Sequence, residues 1–202
     1  MMVAIVEYGA GNIRSLTNAI ERIGEDYVVT SDPSLISTAS HIVLPGVGQA
    51  ASVICGIEER NLTNLIRSLS SPVLGICIGM QVLCSYSEEG DTGLLDVLDN
   101  RVVKLRSPGL KIPHMGWNRI TGLRGPLFES IPEGEWFYFV HSYAPEISLD
   151  TVATTDYGGK FSSALNRRNF YGVQFHPEKS GQAGERFLKN FFNIDDRDGY
   201  SE

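Results

Sequence analysis

Val73-Leu74-Gly75-Ile76-Cys77-Ile78-Gly79-Met80-Gln81 is the stretch on which the fold turns. Its first four residues form a short apolar run that predicts a buried strand. The run breaks at a cysteine, with glycines two residues before and two after. Small-x-nucleophile-x-small between a strand and a helix is the layout of a nucleophile elbow, here with sulfur in place of oxygen. The requirement is steric. A side chain at the tip of such a sharp turn sits on strained backbone, and its neighbours at plus and minus two must lack a Cβ for the turn to close. The helix start sets backbone N–H groups and partial positive charge beside the thiol, which favours thiolate. The plainer reading is a buried structural cysteine in a turn that happens to contain glycines.

Outward from Cys77, the first half alternates strand and helix. Val3–Glu7, Tyr27–Thr30, His41–Leu44 and Val73–Ile76 are short and β-branched-rich, as buried parallel strands are. Ile13, Leu16, Ile20 and Ile23 fall at helical spacing and Gly24 supplies a stop. A second helix is predicted from about Ser52 to Leu69, with Leu62, Leu65, Ile66 and Leu69 as its buried stripe. Such alternation implies right-handed βαβ units, with ligands bound outside the carboxyl ends of the strands. Cys77 lies at such an end.

From Arg101 to Phe175 strand follows strand: Val102–Leu105, Trp117–Thr121, Trp136–Tyr143, Val152–Tyr157, Phe161–Asn166 and Phe170–Phe175. Gly158-Gly159 signals a hairpin, and Ser107–Pro113 reads as an exposed loop. A last amphipathic helix carries Phe187, Leu188, Phe191 and Phe192. The expected fold is α/β, an open, mostly parallel sheet covered by helices on both faces, with an antiparallel β extension in the second half. All 202 residues are expected to form one domain.

Composition narrows the function. Hydrophobic residues make up 42% and charged residues 20%, an ordinary globular balance. The net charge of −7 argues against a nucleic-acid or anionic-membrane surface, which needs clustered Lys and Arg. The apolar start Met2–Val6 is too short for a signal peptide, and no run approaches the roughly 18 apolar residues of a membrane span. Three cysteines, Cys55, Cys77 and Cys84, contain no C-x-x-C pair. No disulfide framework or metal site is therefore expected, and a reducing cytoplasm is the natural setting. Cys55 and Cys84 read as core residues, and His41 as structural or solvated.

A cysteine nucleophile needs a base. His176 closes the strand Phe170–Phe175, Pro177 holds it extended, and Glu178 follows two residues on. In an extended chain both side chains point one way, giving a histidine whose tautomer a carboxylate can fix. A surface turn without a catalytic role is the bland alternative. Pro45-Gly46-Val47-Gly48 follows another strand, so its main-chain N–H groups can join the Ile78 amide as oxyanion donors. Gly9-Ala10-Gly11-Asn12 invites a dinucleotide reading, but Arg14 stands where a third glycine is needed. Asn12 reads better as the cap of the helix from Ile13.

With Gly75–Gln81 and His176-Pro177-Glu178 joined, the chain resembles the triad (class I) glutamine amidotransferases, which hydrolyse glutamine through a glutamyl thioester. Glu7-Tyr8-Gly9-Ala10-Gly11-Asn12, Leu44–Gly48, Lys111-Ile112-Pro113-His114-Met115-Gly116-Trp117-Asn118 and Phe139-Val140-His141-Ser142-Tyr143 are similar to the glutaminase subunits of imidazole glycerol phosphate synthase. The resemblance spans essentially the whole chain, and the Pro-His-Met-Gly-Trp-Asn stretch is its most specific part. It implies Cys77 as nucleophile, His176 as general base then acid, and Glu178 as the orienting carboxylate. It also implies glutamine held by Gly46, Val47, Gly48, Ile78, Gln81, Glu89, Ser142 and Tyr143, with Glu88 an alternative to Glu89. Ammonia would pass to a (β/α)-barrel cyclase partner in histidine biosynthesis across an interface that includes Asn12, Tyr138 and Lys179, and no cofactor is implied. Helix cap, strand aromatic and surface lysine are the plain readings of those three. Ile78, Cys84 and Ala144 depart from the family's usual residues, and none belongs to the triad. Two other readings are a paralogous subunit feeding a different synthase and a stand-alone cysteine hydrolase on a related sheet.

Overall fold

The computed structural model describes residues 2–9, 13–106 and 109–194. In chain order its first part runs β1 (Met2–Val6), α1 (Ile13–Ile23), β2 (Asp26–Thr30), α2 (Pro33–Thr38), β3 (His41–Leu44), α3 (Ala50–Glu59), α4 (Thr63–Ser68), β4 (Val73–Ile76) and α5 (Ile78–Leu83). The second part runs β5 (Tyr86–Ser87), β6 (Thr92–Gly93), β7 (Arg101–Lys104), β8 (His114–Arg119), β9 (Trp136–His141), β10 (Tyr143–Pro145), β11 (Thr151–Asp156), β12 (Lys160–Arg167), β13 (Phe170–Val173) and α6 (Gly181–Phe192).

Seven strands form the main sheet in the order β11-β12-β13-β4-β3-β1-β2. From β13 to β2 all neighbours are parallel, while β11 and β12 add antiparallel strands at one edge. The central strands are apolar throughout because both faces are covered. Val3, Ile5, Val43, Leu74 and Ile76 pack with Leu16 and Ile20 of α1 and Phe187 and Phe191 of α6. Their alternates Ala4, Val6, Ile42, Leu44 and Val73 pack with Ile36, Val53, Ile57, Ile66 and Met80 from α2 to α5. A four-stranded sheet, β10-β7-β5-β6, and a two-stranded ribbon, β8-β9, lie outside the main sheet.

Several boundaries differ from the sequence reading. The helix expected over Ser52–Leu69 is two helices, α3 and α4, because Asn61 takes a left-handed φ of 56° between them. Helix α2, capped by Asp32 accepting from the Ser34 amide at 2.8 Å, has too few residues for a periodic signal. The strand expected over Phe170–Phe175 ends at Val173 and runs parallel to β4, as part of the central sheet and not of the antiparallel extension. Gly158, at φ 69°, turns the β11–β12 hairpin as expected. The expected 107–113 loop and the Asn12 cap lie partly and wholly outside the described residues.

The β4–β13 pairing positions the chemistry. Gly75 is opposite Gly172 and Ile76 opposite Val173, and the Cys77 amide donates to the Val173 carbonyl at 2.7 Å. The ends of these two strands therefore share one rim of the sheet.

Candidate active site

Cys77 sits at φ 52° and ψ −108°, outside the regions open to most side chains, between β4 and α5. The glycines around it are there for contact. A Cβ on Gly79 would lie 2.1 Å from the Leu44 carbonyl oxygen, and one on Gly75 would lie 2.5 Å from the Gly79 oxygen. On the facing loop, a Cβ on Gly46 would lie 1.9 Å from the Ile76 oxygen. Three glycines thus let β3, β4 and α5 close around one thiol.

His176 begins the turn after β13. Its backbone stays extended at φ −103°, but Pro177–Lys179 winds into a 3-10 turn, where the sequence suggested a continuing extended chain. The turn carries Glu178 back, and its Oε1 meets His176 Nδ1 at 2.7 Å. His176 is 1% exposed, and its Nε2 has no hydrogen-bond partner. Burial works against its charge, yet Cys77 first and Glu178 second outweigh burial and push the imidazole up to about 10. The imidazolium is therefore the favoured form at neutral pH.

Cys77 and His176 line one cavity of about 310 Å³ with Gly46, Val47, Gly48, Ile78, Gln81, Glu89, Pro113, Val140, His141, Ser142 and Tyr143. Every residue that the sequence singled out for glutamine is on that wall, apart from the alternative Glu88. Glu89 also accepts from the Ala50 amide at 2.8 Å, at the start of α3. Glu88 turns away, accepting from the Lys104 amide and lining a separate cavity of about 530 Å³ that contains neither Cys77 nor His176. The Ile78 amide opens α5, where it has no intrahelical acceptor. Among the described residues no group of three or more His, Cys, Asp and Glu could hold a metal ion.

Tyr138 and Lys179 lie together, with Nζ 5.9 Å from the ring centre. Trp117 packs edge-on to Tyr138 at 6.1 Å, and Met115, Trp117 and Trp136 are exposed on the same face of the β8–β9 ribbon. Cys84 is core as expected, and burial pushes its thiol up. Cys55 is not core. It lies on the outward face of α3, two residues after buried Val53, with Sγ 3.4 Å from Glu59. His41 is structural, buried against Phe191 and Phe192 and bonded through Nε2 to the Ile194 carbonyl at 3.0 Å.

A class-I glutamine amidotransferase family model matches residues 4–194. Over 196 residues the chain is 46% identical to the imidazole glycerol phosphate synthase subunit HisH of Bacteroides fragilis, covering 96% of this chain and all of that one. The chain belongs to the class-I glutamine amidotransferases, in the HisH family. The HisH of Yersinia pseudotuberculosis is 45% identical over the same shares. Two solved structures agree in fold alone. A putative GMP synthase subunit from Thermoplasma acidophilum has a TM-score of 0.72 at 19% identity, covering 95% of this chain and 92% of that one. PurLQS from Thermotoga maritima has a TM-score of 0.70 at 19% identity, covering 95% and 97%.

Three groups in this amidotransferase site went unassigned in the sequence. Tyr8, fully buried, donates its hydroxyl to the Pro45 carbonyl at the start of the 45–48 loop. His114 and His141 meet across the β8–β9 ribbon, Nδ1 to Nε2 at 3.1 Å, and His141 Nδ1 bonds the Tyr143 carbonyl at 2.8 Å. Gln174, 0% exposed, donates through Nε2 to Cys77 Sγ at 3.5 Å. A carboxamide between Val173 and Phe175 in an otherwise apolar strand was its available signal.

Proposed function

We propose that this chain hydrolyses glutamine to glutamate and ammonia and hands the ammonia to a cyclase subunit of imidazole glycerol phosphate synthase. The single observation that carries the reading is the 310 Å³ cavity, on whose wall an elbow thiol and a carboxylate-bound imidazole stand together. Glutamine would enter with its side-chain carbonyl towards Gly46–Gly48 and the Ile78 amide. Cys77 sulfur attacks that carbonyl carbon, and the oxyanion is met by main-chain N–H groups, each worth about 2.7–4 kcal/mol of barrier. His176 gives its proton to the departing nitrogen, the C–N bond breaks, and ammonia leaves a glutamyl thioester on Cys77. Water, deprotonated by His176, attacks the thioester, and glutamate departs as the sulfur is released. Glu178 holds the imidazole with Nε2 free for both transfers. Glu89 fits the substrate ammonium.

The chain acts as one amidotransferase domain in the cytoplasm, needing no cofactor of its own. Among its described residues no helix is long and apolar enough to cross a membrane. The exposed ribbon face of Met115, Trp117 and Trp136, next to Tyr138 and Lys179, suits the partner, and Asn12, which follows β1 in the chain, is assigned to the same interface. In the histidine pathway that partner yields imidazole glycerol phosphate and an aminoimidazole carboxamide ribotide.

Reconstitution with the cyclase tests the assignment. Cys77→Ala is expected to abolish glutamine-dependent synthesis while synthesis from added ammonium salt survives. Glutamine use retained by that variant removes Cys77 from its role, and failure to bind or supply the cyclase points to a different synthase.

A further inference from the structure

Cys77 sulfur has a second buried polar neighbour besides His176. Past the end of β13, Gln174 and His176 both reach Cys77, while Phe175 between them turns into the core. Phe175 packs on Phe137 with ring centres 4.2 Å apart, deep in the core. That anchor leaves the residues on either side of it to face Cys77. The Gln174 backbone is fixed as well, its amide donating to the Ser163 carbonyl at 2.9 Å.

The Gln174 carboxamide is used at both ends. Nε2 donates to Cys77 Sγ at 3.5 Å, and Oε1 accepts from Gln81 Nε2 at 2.9 Å. Gln81 Nε2 also donates to the Tyr143 carbonyl at 2.9 Å. A primary amide has two N–H bonds, and both of those on Gln81 are thereby spent. Its Oε1 is left as the group to present to the cavity that Gln81 lines. Reversing the Gln81 amide would set oxygen against both the Gln174 oxygen and the Tyr143 oxygen.

We infer that Gln174 is a positioning residue with two outputs: its N–H braces the Cys77 sulfur, and its C=O fixes Gln81 so that an acceptor faces the substrate. The inference rests on the glutaminase reading above. A neutral donor suits this place. It hydrogen-bonds the anionic form of sulfur without adding a second positive charge beside the His176 imidazolium. An acceptor from Gln81 is matched to a cationic group, so the chemistry selected is an α-ammonium, as in a free amino acid. Its absence from an amide within a peptide chain disfavours internal peptide glutamine.

Two variants separate the outputs, each made in the full chain carrying Cys55→Ser so that iodoacetamide reports on Cys77. Gln174→Met removes donor and acceptor. Gln174→Glu, when ionised, removes the donor and keeps an acceptor for Gln81. A hydrogen bond to a charged group is worth roughly tenfold or more. In both variants alkylation of Cys77 at pH 7 is expected to slow about tenfold, with kcat falling in step. KM for glutamine is expected to rise about tenfold in Gln174→Met and to return to within a few-fold in Gln174→Glu. A role in packing alone would lower the denaturation midpoint and leave alkylation of the folded fraction unchanged. Alkylation within twofold of the parent in whichever variant folds, or equal KM in both, overturns the inference. If the parent, reconstituted with the cyclase subunit, fails to turn over glutamine, the glutaminase reading falls, and the alkylation rates still decide whether Gln174 acts on sulfur.

Discussion

His176 gathers opposing influences on a single ring. Its surroundings exclude water, which disfavours charge, and the two groups that restore the charge are unequal: Cys77 leads and Glu178 follows. Removing the sulfur therefore acts on the imidazole more than removing any other neighbour. Cys77→Ala is expected to bring His176 down from about 10 towards its ordinary 6.5 or below, since burial remains and only Glu178 opposes it. The ring ¹⁵N shifts across a pH titration read this directly. An imidazole that stays charged above pH 9 in Cys77→Ala would show that Glu178 alone sustains it. Residues such as Cys77 and His176 were legible because their spacing and neighbours are chemically odd. Gln174 and Tyr8 were not, because their roles depend on partners 97 and 37 positions away, Cys77 and Pro45.

At the scale of elements, one tight joint is between α5 and the end of β3. Gly79 lets the first turn of α5 touch the Leu44 carbonyl, which no side chain can move aside. Gly79→Ala is expected to cost about 3 kcal/mol or more, the upper range for overpacking, with loss of glutaminase activity. Gly159, where a Cβ would meet nothing within 4 Å, is the control. Gly159→Ala should remain within about 0.5 kcal/mol of the parent. Urea midpoints of the two variants decide it, and equal midpoints would mean that α5 can retreat from β3 without penalty. A second joint ties the loop after β1 to the loop after β3 through the Tyr8 hydroxyl. Tyr8→Phe leaves the Pro45 carbonyl short of a donor, so a loss of about 1–3 kcal/mol is expected together with a lower kcat. An unchanged kcat in that variant would separate the Tyr8 anchor from any catalytic role of the 45–48 loop.

Over the whole molecule, what could be read from sequence was what repeats or what is locally forced. Apolar β1, β3 and β4 announced a sheet covered on both faces, and Phe187, Leu188, Phe191 and Phe192 announced the helix that covers one of them. The membership of β13 in the parallel run was not visible, since strand order is set by long-range pairing and Phe170–Val173 looks like its antiparallel neighbours. The same limit hid the histidine pair of the β8–β9 ribbon, whose members are 27 residues apart. That pair has a global consequence. His141 Nδ1–H is committed to the Tyr143 carbonyl, so its Nε2 must accept from His114 Nδ1–H, and both rings are neutral. Burial is the leading cause at each, taking His114 down to about 4 and His141 to about 3. With folded values below the unfolded 6.5, the unfolded chain binds more protons under pH 6.5, so stability falls with acidification from about 6.5 towards 4 and then 3. For His141 alone the loss by pH 4.5 is about 2–3 kcal/mol. The measurement is the urea-derived stability of the parent against His141→Gln between pH 7 and 4.5. The variant starts lower, because it breaks the relay, and should then decline less steeply by about that amount. Parallel declines would mean that His141 takes up its proton in the folded protein, and that the ribbon stays joined to the Cys77 cavity through a charged ring.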